Sequence, residues 1–415
     1  MPVDKNLFPY DLAVTAIFKN EARYLKEWLD YHLLAGVEHF YLYNNDSIDN
    51  FAQVLAPYVA ANFVTLTDFP GKVMQMPAYV DALNRFKFTC RYMAFIDVDE
   101  FIFPQTNRSI VEVVDEILSR DSNAAGVAIN WQLYGSNGQE TADYSRGVLE
   151  RFTRRAPHDY ELDLGNTLVK SIIDPRKVEY MPNPHSAIYL HNFHAVNAAG
   201  EIVAGYLNKP VNVDKIVVNH YFTKSREEYS KKFSRGRSDV NVKYSQDNFE
   251  LQDRNEIFDD GILTYRANRA ENFSVESDDD RLARVEKTLT EILTQRSPFD
   301  APQEFFTDKL ETFLTCRSLS EAFAVKIAER SAEEYALVWI HQCLNQAGVL
   351  NYSDLQLFMS DLPEILARPF PLCKKFLPLA RERVIPTMCE ALKFNFNVSR
   401  FVEYNYIRQL LSLMS

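Results

Sequence analysis

Cysteine is scarce in this chain. Five thiols (Cys90, Cys316, Cys343, Cys373 and Cys389) are scattered through 415 residues, with no CxxC pair and an odd total. That excludes a disulfide framework and points to reduced thiols. Long apolar runs are lacking too: nowhere do about 18 apolar residues follow one another, so no membrane-spanning helix is expected. The opening "MPVDKNLFPYDLAV" has none of the charged-then-apolar patterning of a secretory signal. Positive charge is in deficit, with 45 Lys and Arg against 57 Asp and Glu, which disfavours nonspecific nucleic-acid binding. No P-loop, GxGxxG or kinase signature occurs, and no fixed-period repeat or low-complexity segment. The expectation is a cytoplasmic protein with no nucleic-acid partner. Peripheral contact at the inner face of a membrane stays open.

Apolar residues are plentiful at 47%, aromatics at 13%, so globular cores are expected rather than disorder. The length favours two domains. Leu12 to Phe18 reads as a buried strand, Tyr24 to Leu33 shows helical spacing ending at Gly36, and His39 to Tyr43 reads as a second strand. This βαβ pattern repeats through a strand at Val64 to Thr67 and another at Tyr92 to Ile96, which implies parallel neighbours. "RGVLERFTRR" and "TLVKSIID" read as further strands, and "KIVVNHYFTKSREEYSKKFSRGRSD" as a strand, a turn and a charged helix. Beyond about residue 275 helical spacing dominates, with Leu282, Val285, Leu289 and Leu293 as an apolar stripe. "FPLCKKFLPLARERVIPTMCEALKF" mixes apolar and basic residues, broken by three prolines. The expected division is an α/β domain over 1–270 and a mostly helical domain over 271–415.

"YMAFIDVDEFIFP" carries the chemistry. Asp97, Asp99 and Glu100 end a strand between large apolar side chains, and packed carboxylates repel unless something cationic offsets them. A hard divalent cation takes oxygen ligands and shares them with phosphates. The plainer reading is that the two aspartates solvate the strand exit and cap a helix. In open α/β sheets ligands bind beyond the carboxyl ends of the strands. Asn20-Glu21 and Asn45-Asp46 fall at such ends, as the acidic triplet does. For Glu21, helix capping is an equal alternative.

"TAIFKNEARYLKEWLDYHLLAGVEHFYLYNNDS", "YMAFIDVDEFIF", "NWQLYGSNG", "GVLERF", "NPH" and "NHYFTKSREEYSKKFSRGRSD" follow one another in an order that resembles the family-92 glycosyltransferases and their bacterial family-2-like relatives. The likeness spans residues 11 to about 245. It implies a GT-A fold, a Rossmann-like mixed sheet flanked by helices, with Mn2+ or Mg2+ as cofactor. It also implies a nucleotide-sugar donor, expected to be a UDP-sugar, and a glycan or glycolipid acceptor. Asp97 and Asp99 would then be the DxD pair, Asp97 at the ribose or the metal and Asp99 on the metal, with Glu100 behind them or in a structural salt bridge. Asn20, Glu21, Asn45 and Asp46 would flank the nucleoside. His220 would complete the metal site, with His185 as rival; His191 and His194 could form a second pair.

Lys224, Lys231, Lys232, Arg235 and Arg237 could offset the charge of a leaving diphosphate, Arg235 and Arg237 being preferred. Among the cations, Glu227 and Glu228 fit an ordinary solvated helix face equally well. An inverting transfer needs a base, and Glu140, Asp143 and Glu150 are the candidates. Glu150 would sit on a strand, where it could instead pair with Arg151 or Arg154. A nucleotidyl- or phosphotransferase, or a non-catalytic carbohydrate-binding or assembly protein, are the alternatives.

Overall fold

The computed structural model describes residues 5–235, 246–271 and 273–295, with scattered helical positions between 336 and 383. The chain divides into two compact units, Met1–Ser277 and Asp278–Ser415. In the first unit the strands and helices alternate as β1 Tyr10–Phe18, α1 Ala22–Leu34, β2 His39–Asn44, α2 Phe51–Ala60, β3 Val64–Asp68, α3 Gln75–Phe86 and β4 Cys90–Phe95. Next come β5 Glu100–Pro104, α4 Ile110–Leu118, β6 Ala124–Leu133, α5 Val148–Arg151, β7 Arg154–Arg155 and β8 Val169–Ile173. Short strands β9 Val178–Tyr180, β10 Ile188–Tyr189, β11 His194–Val196 and β12 Ile202–Val203 precede β13 Ile216–His220. The unit finishes with α6 Arg226–Arg235, α7 Gln246–Gln252, β14 Ile257–Phe258 and α8 Gly261–Ala270.

The main sheet runs β12-β11-β6-β8-β4-β1-β2-β3, and β13 joins it between β6 and β5. β4, β1, β2 and β3 are mutually parallel. β8 enters antiparallel between β4 and β6, and β13 lies parallel to β6. The sheet is therefore mixed, as the expected fold class requires. Both its faces are covered: Leu12, Val14, Ala16 and Phe18 of β1 enter one apolar cluster, Ala13 and Ile17 the other. Burial on both sides explains why β1 reads as a continuous apolar run instead of an alternating one. Because β1, β2, β4, β6 and β13 point the same way, their carboxyl ends share one rim.

One expected strand is a helix. Residues 148–151 of "RGVLERFTRR" form α5, since Glu27 of α1 accepts hydrogen bonds from Val148 N at 2.5 Å and Leu149 N at 3.2 Å. A carboxylate from a distant helix caps these amides, an interaction that local propensity does not reveal. Gly147 lets it approach, for a Cβ there would lie 2.1 Å from Glu27 Oε1. Glu150 accordingly sits on a helix.

The second unit opens with α9, Asp278–Gln295. Val285, Leu289 and Leu293 are buried as expected, but Leu282 is 45% exposed and Arg281 takes the inward position. The spacing of four from 281 through 285 and 289 to 293 sets the buried stripe. Most of "FPLCKKFLPLARERVIPTMCEALKF" lies outside the described residues.

Candidate active site

Three strand ends on the shared rim carry left-handed backbone at residues that are not glycine. Asn20 has φ 55°, Asp46 φ 55° and Lys224, four residues beyond β13, φ 50°. Such conformations cost about 1–2 kcal/mol each for a side chain with a Cβ, and they concentrate at ligand sites. Asn20 Oδ1 accepts from Ile48 N at 2.8 Å, which ties the end of β1 to the turn after β2. Asn45 Nδ2 donates to Phe69 O and Gly71 O, while Gly71 N donates to Asp46 Oδ2 at 3.1 Å. Asn45 is thus buried and holds the loop after β3; Asp46 remains exposed at its lip. Glu21 is buried at the N-terminus of α1 without capping it through its side chain.

The acidic triplet meets three lysines. Asp97 accepts from Gln75 Nε2 and from Lys170 Nζ, both at 2.8 Å. Glu100 is wholly buried; its Oε2 accepts from Asp97 N at 2.8 Å and lies 3.2 Å from the same Lys170 ammonium. Burial pushes the Glu100 carboxyl up to about 8, Lys170 opposing. Burial likewise opposes the charge on Lys170, but Asp97 and Glu100 outweigh it and raise its pKa. Glu100 thus stands at ion-pair distance from Lys170 and also backs Asp97, the two roles expected of it, while burial favours its neutral form. The sequence signal for Lys170 was a charged residue inside the apolar run "TLVKSIID", which a strand buried on both faces tolerates only with a partner.

Asp99 lies 8% exposed under a ring of nitrogen atoms. Lys232 Nζ donates to Oδ2 at 2.5 Å, Lys224 Nζ stands 3.9 Å from it, and His220 Nε2 is 3.7 Å from Oδ1. Burial works against ionisation of Asp99, yet Lys232, Lys224 and His220 prevail and hold its carboxyl far below the usual range. His220 is buried against the Trp131 ring, centroids 4.2 Å apart, and burial lowers its imidazole to about 3. Its Nδ1 makes no hydrogen bond. A neutral imidazole beside a carboxylate is a donor set suited to a Mn2+-type ion.

Among the described residues no group of three or more His, Cys, Asp and Glu is placed to hold a metal. Asp99 and His220, 3.7 Å apart, are the two donors that would face a divalent cation. Both oxygens of Asp97 are engaged by Gln75 and Lys170. His185, the rival, is held at Val169 O through Nδ1 and packs against the Trp131 ring, centroids 5.1 Å apart. His194 Nε2 is paired with Asp121 at 2.9 Å.

A cleft of about 390 Å³ opens between the ends of β1 and β13; Asp99 does not line it but is met by Lys224 and Lys232, which do. Asn20, Glu21, Arg23, Tyr144, Lys224, Lys231 and Lys232 are among its lining residues. Arg23 stacks over the Tyr144 ring at 3.6 Å. Tyr144 comes from the loop that leads from β6 to α5 and also carries Glu140 and Asp143. Glu140 lies 3.4 Å from Arg226, Asp143 accepts from Ser145 at 2.6 Å, and Glu150 meets Arg266 at 2.9 Å rather than Arg151 or Arg154. Arg151 instead forms a buried two-point pair with Glu228 at 2.9 and 2.7 Å, and Tyr24 Oη donates to Glu228 Oε1 at 2.9 Å. Glu228 is thus an internal counter-ion and not a solvated face. Arg235 ends α6, and Arg237 lies outside the described residues.

The model of glycosyltransferase family 92 matches residues 12–256, the whole stretch that builds this rim. A family-92 protein of Ricinus communis is 27% identical over 232 residues, 55% of this chain and 38% of that protein. Galactan beta-1,4-galactosyltransferase GALS2 of Arabidopsis thaliana is 33% identical over 100 residues, 22% of this chain and 19% of its own length. The chain thus spans less than two fifths of the length of these curated relatives. S. aureus TarS 1-349, solved in complex with UDP-GlcNAc, aligns over 84% of this chain and 91% of its own, at 11% identity and a TM-score of 0.31, a likeness too slight to build on. On the family match, which covers more than half of the sequence, the chain belongs to glycosyltransferase family 92.

Proposed function

We propose that the chain transfers a sugar from a nucleotide-diphosphate sugar to a hydroxyl of a glycan or glycolipid, with inversion at the anomeric carbon. The observation that carries this is the meeting of Asp99 and His220 at adjoining strand ends beside a cleft lined by lysines. An acidic point with cations around it suits a ligand that carries both a metal and phosphates.

In this reading the nucleoside lies against Asn20, Glu21 and Asp46, where the exposed Asp46 carboxylate can accept from a base N–H. Asp97, locked by Gln75 and Lys170, presents its edge to the ribose. Asp99 and His220 would hold a divalent cation, which supplies Lewis-acid stabilisation of the diphosphate when bound. The acceptor hydroxyl approaches from the loop between β6 and α5, and Asp143, next to the cleft-lining Tyr144, takes its proton. A UDP-sugar is the first donor to test, UDP-galactose among them, because one relative is named as a galactosyltransferase.

The test incubates the full chain with UDP- and GDP-sugars, with manganese or with EDTA, and measures nucleoside diphosphate released. Metal-stimulated release from at least one donor is expected, and its abolition in Asp99→Asn. A protein that releases nothing from any donor, with or without candidate glycan acceptors, is not this enzyme.

A further inference from the structure

Three lysines line the cleft beside Asp99, and two of them are already engaged. Lys231 Nζ donates to Glu227 Oε1 at 2.6 Å, and Lys232 Nζ donates to Asp99 Oδ2 at 2.5 Å. Lys224 differs. Its side chain is 6% exposed, and among the described residues its ammonium donates no hydrogen bond, Asp99 Oδ2 standing 3.9 Å away. The Tyr24 ring, with its centroid 4.6 Å from the nitrogen, offers only the weaker attraction of an aromatic face. The Lys224 stem is buried while the ammonium faces the cleft, with Asp99 at ion-pair distance and its hydrogen-bonding capacity left for an anion that enters there. The backbone beneath it is strained as well, at φ 50°. A conformation of that kind survives where the surroundings enforce it, characteristically at ligand clamps.

We propose that Lys224 is a catalytic residue that contacts the donor diphosphate and offsets the charge it gains on leaving. This rests on the glycosyltransferase reading above. In the step, the acceptor hydroxyl oxygen forms a bond to the anomeric carbon while the bond from that carbon to the β-phosphate oxygen breaks. The electron pair stays on the phosphate oxygen, and the hydroxyl proton passes to Asp143. The nucleoside diphosphate departs with one more negative charge than it bore as an ester. An ammonium set at that point beforehand stabilises the developing charge more than one that must be recruited.

The experiment titrates the full chain with UDP, GDP, ADP and dTDP, using the matching nucleosides as uncharged controls, with manganese present and absent. Lys224→Gly removes the ammonium and suits the left-handed backbone, so its melting temperature should equal or exceed that of the wild type. Its affinity for the preferred nucleoside diphosphate should fall at least tenfold, while affinity for the nucleoside stays within twofold. Lys224→Arg should keep most of the diphosphate affinity. A folded Lys224→Gly variant that binds diphosphate as wild type does overturns the proposal. So does one that loses nucleoside and diphosphate together, which marks a structural role. Wild-type protein that binds no nucleotide at all removes the nucleotide-sugar reading itself, and the proposal with it.

Discussion

Replacing Arg151 by alanine should be among the most damaging single changes in the first unit. The guanidinium and the Glu228 carboxylate are 1% and 2% exposed, joined by two hydrogen bonds. Removing the cation strands a charge in the interior, at a cost of about 3–5 kcal/mol. For a unit of this size each kcal/mol lowers the melting temperature by about 2–4 °C, so a fall of about 6–20 °C follows. Replacing both partners, as in Arg151→Met with Glu228→Leu, should recover most of the loss, since no unpaired charge remains. Acid gives an independent check. Burial opposes ionisation of Glu228, but the hydrogen bonds from Arg151 and Ser225 outweigh it and bring its carboxyl from 4.5 down to about 2. A carboxyl whose folded pKa is depressed stabilises fully above its unfolded value and ceases to do so as pH falls through the folded one. The advantage of wild type over the double variant should therefore shrink between pH 4.5 and pH 2. Thermal and denaturant unfolding across that range measure both effects. If Arg151→Ala costs no more than an exposed ion pair, about 1 kcal/mol or less, the pair does not bind α5 to α6 as described.

Asp99→Asn should abolish manganese-dependent nucleotide binding, followed by the loss of the free-manganese signal in electron paramagnetic resonance; undiminished binding would remove Asp99 from the metal. His220→Ala should weaken manganese affinity by ~10-fold or more, and an unchanged titration would leave the imidazole without a ligand role. Asp46→Ala should relax discrimination between uridine and guanosine diphosphates by about 0.5–1.5 kcal/mol, the net worth of one hydrogen bond. Equal preference before and after the change would place the base elsewhere.

Much of the parallel half of the sheet was legible because its strands are extreme. β2 and β4 are buried throughout and β1 from Leu12 onward, so their apolar runs stand out, and the polar turns at Asn20, Asn45 and Asp97 mark where each run meets the rim. The site was less legible wherever its parts come from distant sequence. Gln75 and Lys170 reach Asp97 from α3 and β8, and nothing in the local spacing announces a contact of that range. The same applies to α5, which exists by virtue of a glutamate on α1. Charges on α6 looked like a solvated face because period alone does not distinguish Glu228, locked to Arg151, from Glu227, half-exposed beside Lys231.

The loop between β6 and α5 is fastened at both ends by groups that lie outside it. At its start, Ser136 N donates to Asp253 Oδ1 at 2.5 Å and Asn137 N to Asn255 Oδ1 at 2.8 Å; at its close, Glu27 holds Val148 and Leu149. A segment clamped in this way behaves as a cassette. Closing a longer span between fixed ends adds only about 0.6 kcal/mol for each doubling of length. Length can therefore vary between residues 138 and 146 at little entropic cost, but Gln139, Glu140 and Ala142 bond to α6 and Tyr144 lines the cleft, so an exchanged insert reaches the rim as well. On the proposed reading, a new insert would reshape the acceptor side and the cleft together, through Tyr144 and its stacking on Arg23.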